Sequence, residues 1–318
     1  MSDIIKVNHL KKYFHETKAV DDISFSVERG EMFGFLGVNG AGKSTTISML
    51  CTLLKPTDGK AEVAGFVLGK EDEEIKRKIG VVYQWNVLDD LLTVKENLIC
   101  RGSLYEKDRG KLKRQAEYVC EILALSDVLK RPYGKLSGGQ KRRCEIGAAL
   151  LHTPEILFLD EPTTGLDPAT RKSVWQTIGR LQKEMKMTVF LTTHYMEEAA
   201  KADHIGIIEK GKIVQYGTPF SLKEQFAKDR LIIRYQDEKK GQIKQILNDT
   251  GVSFKVKNEK IIVYISKTVD AIPLLMHMEH YVEGFEVIQG TMDDVFLNVT
   301  GMEQEKNALA YASGEESA

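Results

Sequence analysis

Short apolar runs alternate with helical periodicity along the first 220 residues. Ile4 to Val7 and the alternating run Ile23 to Val27 read as strands of an antiparallel opening layer, and Glu28-Arg29-Gly30 supplies the turn that follows. Met32 to Leu36 is unbroken apolar sequence, which predicts a buried strand. Ser44 to Leu54 then carries Ile47, Leu50 and Leu54 at helical spacing and stops before Lys55-Pro56. Ala61 to Val67 and Ile79 to Tyr83 predict further strands. From Thr93 to about Leu125 the pattern becomes helical and polar-amphipathic, with Arg101, Lys107, Arg109 and Lys111 to Arg114 on a solvated face. This helical insert separates the earlier strands from the later ones. A helix over Lys141 to Leu151, the apolar strand Ile156 to Leu159, a helix from about Ala169 to Lys186 and the strand Thr188 to Thr193 come next. Ile205 to Glu209 and Lys212 to Tyr216 flank Lys210-Gly211 as a hairpin.

After Gly217-Thr218-Pro219 the composition shifts and a second unit begins. Leu231 to Tyr235, Ser253 to Val256, Ile261 to Ile265 and Phe285 to Ile288 read as strands, and Gly241 to Asn248 and Val269 to His280 as helices. The order β-α-β-β-α-β is that of a split, ferredoxin-like unit. The expected division is therefore residues 1–220 as one domain, with a helical subdomain at about 90–150, residues 221–302 as a small α+β accessory or dimerisation domain, and 303–318 as a flexible polar tail. Met276, His277, Met278 and His280 could suggest a soft-metal site, but on an amphipathic helix they read as core and face residues.

Length and composition narrow the class. A chain of 318 residues with 42% hydrophobic and 29% charged content can build full cores, about two on the usual length prior. The net charge of -1 gives no reason to expect nucleic-acid binding or electrostatic attachment to a membrane. Cys51, Cys100, Cys120 and Cys144 are far apart, form no metal or redox spacing, and read as reduced, mostly buried residues of a cytoplasmic protein. The N-terminus has no signal-peptide layout, and charge-free runs stay well short of the ~20 residues that cross a bilayer. If the protein works at a membrane, another chain supplies the spanning part.

Candidate chemistry centres on Gly37-Val38-Asn39-Gly40-Ala41-Gly42-Lys43-Ser44-Thr45, a phosphate-loop pattern between a strand and a helix. Gly40 and Gly42 let backbone amides close around phosphate oxygens, at the positive end of the helix beginning near Lys43. Lys43 is placed to reach the β- and γ-phosphates, and the Ser44 hydroxyl to ligate magnesium. Leu136-Ser137-Gly138-Gly139-Gln140 is a second helix start with an N-cap serine, either another anion-binding device or an ordinary capped helix. Asp160-Glu161-Pro162 ends a buried strand. Asp160 can support magnesium or its water and Glu161 can deprotonate an attacking water, unless the pair is only a solvated acidic turn. His194, at the end of another core strand, is open to a γ-phosphate contact or a structural role. Tyr13 can stack on a purine or simply pack.

Taken in order, the phosphate loop, Gln84, Leu-Ser-Gly-Gly-Gln, Asp160-Glu161, Asp167 and His194 resemble the nucleotide-binding subunit of an ATP-binding cassette (ABC) transporter, over about residues 2–220. The resemblance implies a phosphate-loop NTPase (RecA-like) α/β core with an antiparallel β layer and a helical signature subdomain. It implies ATP and Mg2+ as ligands, with Tyr13 on adenine, and Gly37, Asn39, Gly40, Ala41, Gly42, Lys43, Ser44 and Thr45 around the phosphates. It further implies Ser44, Gln84 and Asp160 at magnesium, Glu161 as general base, and His194 at the γ-phosphate. Gln84 would touch magnesium or the lytic water and sense the membrane partner. Ser137, Gly138, Gly139 and Gln140 would cap the γ-phosphate bound by a second cassette, with Asp167 across that interface. The implied partners are a second ATPase subunit, a homodimer in the simplest case, and an integral membrane permease, with the chain peripheral on the cytoplasmic face of the membrane. Small departures, Gly147-Ala148 and Cys144, touch only local packing. Met292 to Gly301 and Asp89-Asp90-Leu91-Leu92-Thr93 resemble cassettes of the daunorubicin-resistance type, which implies an exporter of drug-like or lipid-like substrates. The competing readings are a soluble ABC ATPase clamping nucleic acid or ribosomes, and a nucleotide-binding module without hydrolysis. The near-neutral charge and the single cassette disfavour the first, and Glu161 with His194 disfavours the second.

Overall fold

The computed structural model describes residues 2–257 and 259–301, so the tail expected over 303–318 lies outside the described residues. The chain divides into two compact units, Met1–Tyr216 and Gly217–Ala318.

The first unit opens with β1 (Asp3–Phe14) and β2 (Thr17–Glu28), both longer than the apolar runs that announced them. Strand β3 (Met32–Leu36), buried along its whole length, leads through the phosphate loop into α1 (Lys43–Leu50). This helix stops short of the expected Leu54. Thr52 turns left-handed at φ 63, and the Leu53 and Leu54 amides both fold back onto the Ser48 carbonyl at 2.9 and 3.1 Å. The strand expected over Ala61 to Val67 is two strands, β4 (Asp58–Val63) and β5 (Phe66–Val67), broken where Ala64 and Gly65 take φ 53 and 85. Then come α2 (Asp72–Lys78), which periodicity did not reveal, and β6 (Ile79–Val82).

The helical insert is two helices, α3 (Val94–Gly102) and α4 (Arg109–Ile122), each started by its own cap, Thr93 and Asp108. The unit closes with α5 (Gly138–Leu150), β7 (Ile156–Asp160), α6 (Pro168–Met185), β8 (Thr188–Thr193), α7 (Met196–Ala199), β9 (His204–Glu209) and β10 (Lys212–Gly217). Lys210 and Gly211, at φ 47 and 79, form the hairpin turn between the last two strands.

Two sheets result. An antiparallel sheet has the order β2-β1-β4-β5, and a six-stranded sheet the order β10-β9-β3-β8-β7-β6, parallel from β9 through β6. β3, β7 and β8, buried along their whole length, suit the centre of a parallel sheet covered on both faces. Between the sheets, Phe25 stacks on Phe33 at 5.4 Å, and Phe35, Phe158 and Phe190 continue the cluster. The carboxyl ends of β3, β7 and β8 thus come side by side, where open α/β sheets bind ligands.

The second unit runs α8 (Pro219–Phe226), β11 (Asp229–Tyr235), α9 (Lys240–Asp249), β12 (Phe254–Lys257), β13 (Lys260–Ile265), α10 (Ala271–Met278), β14 (Val282–Ile288) and α11 (Met292–Thr300). Its antiparallel sheet, ordered β12-β13-β11-β14, carries the β-α-β-β-α-β succession from β11 to β14. Leu231, Ile233, Ile243, Leu247, Val263 and Met278 fill its core, whereas Met276 points outward. The Met292 to Gly301 stretch is a helix. Thr291 and Asp294 form a capping box at its start, Gly301 ends it at φ 70, and Arg230 on β11 holds Asp294 at 3.2 Å.

Candidate functional site

The loop between β3 and α1 has the geometry its glycines suggested. Gly42, the N-cap of α1, sits at φ 112, and a Cβ there would lie 2.5 Å from the Ala19 carbonyl oxygen. Only glycine fits that position. The next residue, Lys43, is 4% exposed, and its ammonium donates to the Gly37 carbonyl at 2.8 Å and the Val38 carbonyl at 3.1 Å. The same Nζ lies 3.4 Å from Glu161 Oε1. Burial lowers the lysine pKa, opposed by the charges of Glu161 and Asp160.

A cavity of about 270 Å³ opens over this loop. Asn39, Gly40, Gly42, Lys43, Ser44 and Thr45 line it, together with Gln84 from the segment after β6 and Glu161 from the end of β7. Ala19 on β2 completes the wall and went unnoticed in the sequence, because nothing in an alanine signals a ligand.

Below the cavity, hydroxyls fix the two carboxylates. Ser44 Oγ is 3.1 Å from Asp160 Oδ1, and the buried Thr192 hydroxyl donates to the same oxygen at 2.6 Å. Thr192 Oγ1 also accepts from the Glu161 amide at 3.0 Å. That amide belongs to a residue at φ 47, a region non-glycine residues rarely occupy. The Glu161 carboxylate accepts from Thr164 Oγ1 at 3.1 Å and Gln84 Nε2 at 3.3 Å, and His194 Nδ1 stands 3.2 Å away, off the hydrogen-bond line. Burial pushes its pKa up, but Lys43, the Thr164 hydrogen bond and His194 together outweigh burial and hold it below the ordinary glutamate value.

The other predicted residues lie elsewhere. Tyr13 and Asp167 are not among the lining residues of this cavity, and neither are Ser137, Gly138, Gly139 and Gln140. The Tyr13 hydroxyl donates to Asp21 at 2.6 Å, which pushes its pKa up to about 12. Ser137 and Gln140 form a reciprocal capping box at the start of α5, and Asp167 caps α6 through the Ala169 and Thr170 amides, both at 3.1 Å. Ser137 and Asp167 are exposed.

Helix α5 also holds the Gln84 segment. Its buried Arg142 donates to the Tyr83 carbonyl at 2.6 Å and the Gln84 carbonyl at 3.3 Å. Buried Glu145 accepts from the Val87 and Leu88 amides at 3.0 and 3.3 Å and from the Tyr133 hydroxyl at 2.7 Å. Sequence reading assigned neither residue a role. An arginine and a glutamate on the apolar face of a short helix were the available signal.

Comparison with known proteins places this geometry. Residues 20–164 match the family described as ABC transporter. The chain is 34% identical over 320 residues to the daunorubicin/doxorubicin resistance ATP-binding protein DrrA of Streptomyces peucetius, covering 98% of this chain and 97% of that protein. It is 43% identical over 230 residues to the linearmycin resistance ATP-binding protein LnrL of Bacillus subtilis (strain 168), covering 72% of this chain and 74% of that one. Among solved structures it resembles cbiO1 from Clostridium perfringens, part of the ABC transporter complex cbiONQ. That likeness has a TM-score of 0.65 at 25% identity and covers 78% of this chain and 96% of that one. The dimeric cassette MJ0796 in a post-hydrolysis state bound to ADP and Pi gives a TM-score of 0.61 at 26% identity, covering 67% and 98%.

Proposed function

The chain belongs to the ABC transporter family as an ATP-binding cassette, and from that premise we propose that it hydrolyses ATP to drive export of a drug-like or lipid-like substrate through a separate membrane subunit. The observation that carries this reading is a single cavity in which the phosphate-loop residues Lys43 and Ser44 meet Gln84 and Glu161. The linearmycin and daunorubicin/doxorubicin resistance relatives support export as the direction and a drug-like substrate.

In this reading the loop amides and the N-terminus of α1 receive the ATP phosphates, Lys43 offsets their charge, and the Tyr13 ring faces adenine. The Ser44 hydroxyl and Asp160 carboxylate, hard oxygen donors 3.1 Å apart, fit Mg2+ and would hold it, with Gln84 beside them. Bound there, the ion would supply charge neutralisation on the phosphates. Glu161 takes a proton from the water that attacks the γ-phosphorus, ADP leaves, and His194 steadies the transferred phosphoryl group.

The exposed Ser137 and Asp167 serve a second copy of the cassette, which closes head-to-tail so that each ATP is held by one phosphate loop and the other signature helix. The permease docks beside Gln84. There Trp85, Leu104 and Tyr105 are exposed, and a cavity of about 250 Å³ runs between the insert and the sheet. No helix among the described residues is long and apolar enough to cross a membrane. In this reading the chain works from the cytoplasmic face against the permease, and the second unit supports the dimer.

The test is ATP-dependent dimerisation of Glu161→Gln protein, followed by size-exclusion chromatography with light scattering. A monomer without nucleotide, a dimer with ATP, and loss of that dimer on adding Ser137→Arg are expected. An ATP-bound protein that stays monomeric at every concentration tested overturns the shared-site reading.

A further inference from the structure

One buried acidic side chain next to the site has no part in the chemistry above. Glu198, on α7, is 2% exposed. Its carboxylate accepts hydrogen bonds from two hydroxyls belonging to different segments. Thr193 Oγ1, at the end of β8 and directly before His194, donates to Oε2 at 2.8 Å. Thr163 Oγ1, two residues after Glu161, donates to Oε1. Both threonines are 1% exposed. Thr193 Oγ1 in turn accepts from the Tyr195 amide at 2.9 Å, so the hydroxyl fixes the backbone on both sides of His194.

A second contact joins the same two segments. The Arg171 guanidinium, one turn into the helix that Asp167 caps, lies over the Tyr195 ring at 4.2 Å. The stretch from Glu161 to Arg171 is thus tied to the stretch from Thr193 to Glu198 at both ends. The first stretch also packs against the signature helix, because a Cβ on Gly138 would meet Leu166 at 3.0 Å.

We propose that Glu198 is a positioning residue that locks the Asp167 segment to the His194 segment through Thr163 and Thr193, so that both take up their places against ATP as one body. A buried carboxylate needs donors wherever it sits. Here the donors come one from each segment, so moving either segment alone leaves a hydroxyl and a carboxylate oxygen unpaired. Arrival of a second cassette at exposed Asp167 is thereby transmitted to His194 without passing through the nucleotide.

This inference rests on the proposed roles of Glu161 and His194, and the experiment separates the two. Single-turnover ATP hydrolysis by the full chain, with protein in excess, is measured beside titration with a fluorescent ATP analogue, which also reports that each variant is folded. Thr163→Val and Thr193→Val keep the side-chain shape, and each is expected to slow hydrolysis about ten-fold with the analogue's Kd unchanged within about two-fold. Thr163→Ser and Thr193→Ser are expected to restore the rate. Because either change cuts the same tie, the double valine variant should stay within about three-fold of the single ones. Glu198→Gln tests the tie from the carboxylate side and is expected to slow hydrolysis to the same degree. Valine variants at the wild-type rate, losses that multiply to about a hundred-fold, or weakened binding in step with the rate would overturn the proposal. Wild-type hydrolysis unaffected by Glu161→Gln would instead overturn the catalytic reading beneath it.

Discussion

Thr192→Val separates hydrogen bonding from burial at the base of the site. Thr192 is fully buried, and in the parallel pairing of β7 with β8 it stands opposite Asp160. Valine keeps the branch point and the volume and removes one hydroxyl. Two bonds go with it, the 2.6 Å donation to the Asp160 carboxylate and the 3.0 Å acceptance from the Glu161 amide. A hydrogen bond to a charged acceptor contributes about 1.5–3 kcal/mol, and an orphaned buried N–H costs about 1–3 kcal/mol. The two overlap, so about 3 kcal/mol is the working figure. For a unit of this size that lowers Tm by roughly 6–12 °C, at about 2–4 °C per kcal/mol.

Calorimetry of the full chain, following the transition of the first unit, gives the answer when Thr192→Ser is run alongside. Serine keeps both hydrogen bonds and loses one buried methyl, a cost of about 1 kcal/mol or roughly 2–4 °C. The hydrogen-bond argument therefore ranks threonine above serine above valine. Burial alone ranks valine level with threonine and serine last. A valine variant that melts within about 1 °C of wild type, or above the serine variant, refutes the reasoning. Hydrolysis should fall at least ten-fold in the valine variant, because the amide released belongs to Glu161 at φ 47, a strained conformation its surroundings must hold.

Three further outcomes follow from the same contacts. Arg142→Lys replaces a two-pronged grip on the Tyr83 and Gln84 carbonyls with a single ammonium, and should cut steady-state ATPase about ten-fold while ATP affinity by titration moves less than about three-fold. Gly42→Ala places a Cβ 2.5 Å from the Ala19 carbonyl at φ 112 and should abolish binding of a fluorescent ATP analogue, even where circular dichroism shows a folded chain. Tyr13→Phe removes the hydrogen bond that chiefly holds the Asp21 carboxyl below its ordinary value of 3.8. A depressed carboxyl pKa stabilises above the unfolded value and loses that contribution as pH falls through the folded one. The gap in urea midpoint between wild type and Tyr13→Phe should thus be level near neutral pH and close below about pH 3.8. On the alkaline side the same hydrogen bond is lost as pH rises toward about 12, where Tyr13 ionises.

What the sequence made legible is the set of short segments proposed to face the ligand. Gly37 to Ser44, Ser137 to Gln140 and Asp160-Glu161 are each short and contiguous, set at the end of a strand or the start of a helix, where backbone geometry dictates residue type. Supporting contacts left no such trace. Thr192 matters because β8 lies beside β7 with Asp160 in register, and sheet order is not written in either strand. Helix α1 ended early because Thr52 turns left-handed, a choice that helical periodicity at Leu54 cannot reveal. The helix over Met292 to Thr300 did carry a local signal, Thr291 followed three residues later by Asp294, although its anchor Arg230 is distant in sequence.

The supporting contacts also bear on how two distant devices could act together. Helix α5 begins at the exposed Ser137 cap, and within two turns Arg142 and Glu145 hold Tyr83 to Leu88 by four backbone contacts. A helix of 13 residues does not bend easily over that length, so displacement of its N-terminus carries the Gln84 segment with it. In the proposed dimer, ATP on a second copy pulls on the Ser137 end, and the exposed surface around Trp85 and Tyr105 lies near the other end of the same lever. Glu145 is the residue that makes this coupling stiff, since its single Oε1 receives two amides and the Tyr133 hydroxyl at once. In this proposal a nucleotide signal has a path of packed, hydrogen-bonded groups from the signature helix to the proposed permease side, and the path does not require Gln84 to change its proposed contacts with ATP.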